Sequence, residues 1–283
     1  MAENVTAPVN GKGAAPANLK ISVVMPAYNE AEHIVSNLLE TVDTLVSAEY
    51  DFEVIVVDDG SHDHTYLEAA KLLVSHPARV RVLRCDQNHG KGNALICGAQ
   101  VATGDYIAFL DSDMDLHPIQ LPVLLETMTL AKADVVIGSK WHPLSQVNYP
   151  RERRLYSAVY YLMIRALFGL PVRDTQTGLK VFRAEVLRRV LPRILVKRFA
   201  FDIELLANIH RLGYKIVDAP VTLEFRRKFG RVRWGDIRNI VLDTLAIFYR
   251  MRILHHYDRL PEAPVPHAQP AEIVRELRPH ELV

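Results

Sequence analysis

A mostly parallel α/β sheet covered by helices on both faces is the fold class this sequence predicts, and three observations predict it. Short apolar runs rich in Val and Ile alternate with segments of helical spacing from Ile21 to Ser139. Each run stops in a polar or acidic turn. At 283 residues the chain is long enough for one large α/β domain, and length alone permits two.

Residues 1–18, rich in Ala, Pro, Gly and Asn, read as a disordered leader. Ile21 to Met25 is an apolar run stopped by Pro26, the shape of a buried strand. Ile34, Leu38, Leu39, Val42, Leu45 and Val46 follow at helical spacing. Val54 to Val57 is a β-branched strand ending in Asp58-Asp59-Gly60, and His64 to Val74 is helical. Val80 to Leu83 is a strand, Gly92 to Ala102 a helix, and Tyr106 to Leu110 a strand ending in Asp111-Ser112-Asp113. Pro118 opens another helix, and Val135 to Ile137 is a strand running into Gly138-Ser139-Lys140.

Beyond this point the alternation loosens. Arg151 to Phe168 reads as an apolar, aromatic helix, Gly178 to Phe182 as a strand, Phe201 to Leu212 as a helix and Ile216 to Phe225 as extended. A last amphipathic helix runs from about Trp234 to Leu254, and the Pro-rich residues 258–283 read as tail. The organisation expected is a leader over 1–18 and a catalytic domain over 19–225, with a nucleotide half to about 140 and an acceptor half after it. A basic loop with a membrane-facing helix then occupies 226–257.

A net charge of +1 gives no global field for nucleic acid, and no aromatic–basic interleaving suggests it locally. Cys85 and Cys97 cannot form a disulfide framework or a zinc pattern, so two reduced, buried thiols in a cytoplasmic protein are expected. No signal peptide is visible. Arg165 cuts one long apolar stretch, and Asp243 and Arg250 cut the other, so neither reaches the roughly 20 uncharged residues of a membrane span.

In an open parallel sheet, ligands bind beyond the carboxyl ends of the strands. That edge receives Pro26-Ala27-Tyr28-Asn29-Glu30, Asp58-Asp59-Gly60-Ser61, Asn88-His89-Gly90-Lys91-Gly92 and Asp111-Ser112-Asp113. Asp111 and Asp113, two carboxylates around one small residue, suit a hard divalent cation bridging a diphosphate. A polar turn capping the Pro118 helix is the other reading, and position in register with three more polar clusters favours metal. Asp58 or Asp59 can accept from a base or ribose, or can serve an Asp-Gly turn. Gly90-Lys91-Gly92 sets one cation beside a helix N-terminus, suited to a phosphate or simply to starting the helix. It lacks P-loop spacing, and no glycine-rich dinucleotide motif follows the first strand.

Together, in order, these four motifs resemble the GT-A glycosyltransferases of family 2. The resemblance implies a nucleotide-sugar donor, Mg²⁺ or Mn²⁺ on Asp111 and Asp113, and an inverting single displacement. It implies donor contacts from Pro26, Ala27, Tyr28, Glu30, Asp58, Asp59, Lys91, Asp111 and Ser112. Arg173 to Arg183, through Gln176-Thr177-Gly178, and Phe199 to Leu206 are similar to the polyprenyl-phosphate branch, which transfers mannose or glucose to dolichyl-type phosphates. The resemblance spans about Ile21 to Leu254. Two departures are the Met114-to-Pro118 loop after the metal motif and the absence of trailing transmembrane helices.

A phosphate acceptor is largely dianionic at neutral pH, so it needs positive charge more than a general base. Lys140, Arg151, Arg154 and Arg231 are the candidates to hold it, with Arg153, Arg173, Arg226, Arg227, Lys228 and Arg233 nearby in sequence. Asp113, Lys140 and Gln176 are the candidate catalytic residues. Two late apolar stripes flanked by arginines and tyrosines suit either an interfacial helix pair or packing on the domain or on a partner subunit. The reading is a hexosyltransferase using GDP-mannose or UDP-glucose and a polyprenyl phosphate, peripheral on the cytoplasmic membrane face. Two others stay open: a family 2 enzyme with a hydroxyl acceptor and Asp202 or Glu204 as base, and a non-catalytic membrane protein with a relic nucleotide fold.

Overall fold

The computed structural model describes residues 19–147, 151–198, 200–224, 234–259 and 273–277. The predicted alternation is present: β1 (Lys20–Ala27), α1 (Ile34–Ser47), β2 (Asp51–Asp58), α2 (Thr65–Ser75), β3 (Val80–Cys85), α3 (Lys91–Val101) and β4 (Tyr106–Phe109). A single 3₁₀ turn at Pro118–Gln120 leads into α4 (Leu121–Ala131), then β5 (Val135–Ser139), β6 (Gln146–Val147) and α5 (Arg151–Phe168). The chain continues as β7 (Lys180–Arg183), α6 (Ala184–Val190), α7 (Phe201–Arg211), β8 (Ile216–Pro220), β9 (Thr222–Leu223), α8 (Trp234–Phe248) and β10 (Ile273–Leu277).

One eight-stranded sheet runs in the order β10-β3-β2-β1-β4-β7-β5-β8. β3, β2, β1 and β4 are mutually parallel, as are β5 and β8. β7 runs against both its neighbours, with Lys180 opposite Phe109 and Arg183 opposite Tyr106. The start of β7 therefore lies beside the end of β4, and the residues that precede β7 arrive at the edge where the parallel strands finish.

Continuous Val/Ile strands are buried on both faces because helices cover both. One core lies under α1, α2 and α4, and includes Leu38, Val56, Leu73 and Leu124. The other lies under α3, α5, α7 and the end of α8, and includes Phe109, Phe182, Phe201 and Ile247. Cys85 and Cys97 are both buried and unbridged, as expected.

Four elements differ from the sequence expectation. The run after Gly178 is a strand, but an antiparallel one, and the short α6 follows it. The segment expected to be extended from Ile216 breaks at Val221 into β8 and β9. The last helix leaves α-geometry after Phe248 and continues as a π turn over Tyr249–Ile253. Within the stretch read as tail, Ile273–Leu277 forms a strand on the β3 edge, where Glu276 meets Arg81 at 2.7 Å. Residues 1–18 and 225–233, with Arg226, Arg227, Lys228, Arg231 and Arg233, lie outside the described residues.

Candidate functional site

A cavity of about 420 Å³ opens beyond the ends of β1, β2 and β4, lined by Pro26, Ala27, Tyr28, Glu30, Asp59 and Asn88, with Gly90, Lys91, Asp111, Ser112, Asp113 and Arg198. Side chain–backbone bonds tie its loops together. Asn29 donates its N–H to Ser61 Oγ and accepts at Oδ1 from His62 N–H, which joins the β1 and β2 loops. Glu30 N–H donates to Thr65 Oγ1. Tyr28, 40% exposed, meets His62 edge-on at 6.2 Å, a surface on which a base can stack.

The two aspartates that end β2 separate in function. Asp58 is fully buried behind the cavity, accepts from Ser61 N–H at 3.1 Å and lies 3.5 Å from Arg84. Burial raises its pKa, against the pull of Ser61 and Arg84. Asp59 faces the cavity wall and accepts from His89 N–H at 3.0 Å and Gly90 N–H at 2.8 Å, so it fixes the Asn88-to-Gly90 turn. Gly90 sits at φ +105°, where a side chain is strained.

Asp111 and Asp113 follow β4. Lys91, partly exposed, places its ammonium 2.5 Å from Asp111 Oδ1. Burial opposes charge on Asp111, but Lys91, Lys180 and Lys140 outweigh it and hold the carboxyl below its ordinary range. Asp113 goes the other way: burial and the Asp111 charge push it up to about 6, against a hydrogen bond from Asp115 N–H. Two carboxylates thus crowd one small space with a single ammonium in contact. A divalent cation would relieve that repulsion, and a pair of carboxylates completed by phosphate oxygens is an ordinary donor set for Mg²⁺ or Mn²⁺. Among the described residues no group of three or more His, Cys, Asp or Glu could hold a metal unaided.

The segment before β7 closes one side of this pair. A Cβ built on Gly178 would lie 2.2 Å from Asp111 Oδ2, so only glycine lets the backbone pass. Lys180, 2% exposed, donates to Thr177 O and, at 2.7 Å, to Asp202 Oδ1. Beside this segment lies a second recess of about 170 Å³ lined by Lys140, Trp141, Tyr160, Tyr161 and Ile164, with Arg173 to Gln176. Both the N–H and the ammonium of Lys140 contact Asp174 Oδ2, at 3.1 and 3.2 Å. Gln176 donates to the Tyr160 hydroxyl at 3.2 Å. Burial and the Asp174 charge raise Asp218, behind Arg173, to about 6.

Of the residues expected at the site, all the donor candidates except Asp58 meet in the first cavity. Lys140 and Gln176 meet in the second. Arg151 and Arg154 begin α5, where only the backbone is described, and Arg231 lies outside the described residues. Neither carboxylate considered as a base stands free. Asp202 is held by Lys180, and Glu204, fully buried, accepts from Leu195 N–H, Val196 N–H and the Tyr257 hydroxyl. Sequence reasoning missed Arg198. Its only signal was a Lys-Arg pair just before α7, indistinguishable from a solvated helix start.

The family model described as glycosyl transferase family 2 matches residues 22–191. A glycosyltransferase named AglD from Haloferax volcanii is 33% identical over 75% of this chain, which spans 34% of that relative's length. An undecaprenyl-phosphate mannosyltransferase from Micrococcus luteus is 34% identical, covering 72% of this chain and 83% of its own. A dolichyl-phosphate β-glucosyltransferase from Dictyostelium discoideum is 28% identical over 83% of this chain and 72% of its own. Among solved structures, glucosyl-3-phosphoglycerate synthase from Mycobacterium tuberculosis, in complex with Mn²⁺, UDP and phosphoglyceric acid, superposes with a TM-score of 0.62. It is 24% identical and covers 87% of this chain and 81% of its own, a likeness of fold.

Proposed function

Because this chain belongs to glycosyl transferase family 2, we propose that it moves a hexose, glucose or mannose, from a nucleotide-sugar onto a polyprenyl phosphate at a membrane surface. The observation that carries the acceptor half is the recess lined by Lys140, Arg173 and Asp174, which leads through Gln176 to the Gly178 backbone packed on Asp111. Relatives named for undecaprenyl-phosphate and dolichyl-phosphate transfer support the same acceptor class.

Tyr28, Glu30, Asp59, Lys91 and Ser112 line the space for the nucleotide and diphosphate. Asp58 supports the turn behind it. Asp111 and Asp113 would hold Mg²⁺ or Mn²⁺, which neutralises diphosphate charge and eases its departure. The acceptor phosphate attacks the anomeric carbon from the face opposite the leaving diphosphate, so the sugar inverts. Lys140, with Arg151, Arg154 and Arg231 as further candidates, holds that phosphate, while Gln176 orients the sugar. A phosphate is already ionised, so the step requires no general base. The engagement of Asp202 by Lys180, and of Glu204 by backbone N–H groups, favours this over a hydroxyl acceptor.

The proposed membrane contact uses α5 and α8. Val159 and Leu162 on α5, Leu242, Leu245, Tyr249 and Ile253 on α8 and its π turn, and Leu254 just after it, are exposed apolar side chains. Exposed Arg165, Arg238 and Arg252 accompany them, the combination suited to an anionic leaflet such as the cytoplasmic one. Among the described residues no helix is long and apolar enough to cross a membrane.

The test is transfer of labelled sugar from UDP-glucose and GDP-mannose, separately, to a short polyprenyl phosphate with Mn²⁺ or Mg²⁺. A lipid product from one donor, lost with Asp113→Ala and with the dephosphorylated prenol, is expected. Donor hydrolysis that needs metal but yields no lipid product would discard the phosphate acceptor.

A further inference from the structure

Glu204 has a stronger claim on the donor cavity than its burial suggests. Its Oε2 accepts from the N–H groups of Leu195 at 2.9 Å and Val196 at 2.7 Å. Its Oε1 accepts from the Tyr257 hydroxyl and lies 3.6 Å from the Arg250 guanidinium. A charge with no exposure and several donors is rigidly held, and so is whatever it holds in turn. Here that is the loop from Leu195 to Arg198.

The other end of the loop is pinned at the cavity. Lys197 O accepts from Asn93 N–H at 3.1 Å, which sets the loop against the first turn of α3. Arg198 lies across Gly90: a Cβ there would come within 2.8 Å of Arg198 Cγ. From this position Arg198 lines the cavity. Its guanidinium has no carboxylate partner among the described residues, whereas Lys91, the other cation lining the cavity, is committed to Asp111.

We infer that Arg198 is a donor-binding residue that forks onto the diphosphate, and that Glu204 is the positioning residue that holds it there. The inference rests on the nucleotide-sugar reading above. As the bond from the anomeric carbon to the β-phosphate oxygen breaks, its electron pair passes to that oxygen. A fixed guanidinium at the diphosphate meets the growing charge without reorganising. Tyr257 and Arg250, beyond the C-terminal end of α8, thereby bear on donor binding although neither lines the cavity.

Calorimetric titration of UDP and GDP in the presence of Mn²⁺, with UMP and GMP in parallel, tests this on the full chain. Arg198→Ala should weaken the preferred diphosphate by about 10- to 100-fold, the worth of a charge-assisted pair, and the matching monophosphate far less. Arg198→Lys should recover part of the loss. Tyr257→Phe, which removes one donor to Glu204, should weaken the diphosphate severalfold in the wild-type chain and not at all in the Arg198→Ala background. Unchanged diphosphate affinity in Arg198→Ala, or equal loss of both nucleotides, would overturn the assignment of Arg198. An equal effect of Tyr257→Phe in both backgrounds would overturn the positioning role. Failure of the wild-type chain to bind either diphosphate would remove the donor reading and this inference with it.

Discussion

One end of the sheet holds a buried carboxylate and the other a half-buried pair, and the fold treats them in opposite ways. At the end where β1 and β2 begin, Glu53 accepts from Ser22 Oγ at 2.6 Å and from Thr103 N–H and Oγ1, both at 2.7 Å, with Lys20 and Arg81 within 4 Å. Burial opposes its charge, yet Ser22 and Thr103 outweigh it and hold the carboxyl below its ordinary range. At the end where β4 finishes, Asp111 and Asp113 share one lysine, and the second of them is pushed up to about 6. A carboxylate satisfied from every side is part of the scaffold. A pair left mutually repelling is waiting for a cation that the protein does not itself provide.

That contrast can be broken by mutation, the largest effect first. Asp113→Asn should lower sugar transfer by about 10²- to 10³-fold while leaving the melting temperature unchanged or raised, since it removes a repulsion; a clear drop in melting temperature would put Asp113 with Glu53. Gly178→Ala, whose methyl would displace Asp111, should cost transfer by about 10²-fold with Mn²⁺ affinity reduced in step. Equal activity in the alanine variant would mean that Asp111 has room to move. Glu53→Ala should do the reverse of Asp113→Asn: a loss of about 3 kcal/mol in chemical denaturation, because Ser22, Thr103 and Arg81 lose their acceptor, with kcat of the folded fraction retained.

Acidity sharpens the same comparison with the smallest effect. Asp113 must be ionised to bind metal, so Mn²⁺ affinity should fall by about tenfold per pH unit below about 6. Glu53 has a lowered pKa in the fold. Its contribution is present above its unfolded value, near 4.3 in model peptides, and is lost as pH falls through the folded one. Between about pH 6 and 5, then, metal binding should weaken while the Glu53 contribution persists, which titration and denaturation in the same buffers would separate.

How much of this was legible differs between the halves of the chain. Up to about residue 140, strand polarity follows from the βαβ alternation, and polarity alone sends Pro26 to Glu30, Asp59, Lys91 and Asp111 to one edge. After it, hydropathy marks Gly178 to Phe182 as a strand but carries no direction. That β7 runs backwards, bringing Thr177 and Gly178 onto Asp111, was invisible. Nothing near Lys180 in sequence marks it as buried, because its partner Asp202 is 22 positions away. α6 is too short for a helical period to declare itself, with Arg188 and Arg189 interrupting its apolar positions. Family likeness pointed to Gln176, Asp202 and Glu204 but not to what each touches. Arg198 depends on a loop held by Glu204 from α7 and Tyr257 from near the end of the described chain, contacts that no local pattern encodes.

β10 has a consequence for how the molecule is made. Its Glu276 meets an arginine 195 residues earlier, so the β3 edge is left open until Ile273–Leu277 has been made. An open edge of strand backbone invites pairing with a neighbouring nascent chain, and β10 is the segment that shuts it. A chain cut before Ile273 would keep every residue proposed here for sugar transfer, yet would be born with an adhesive flank.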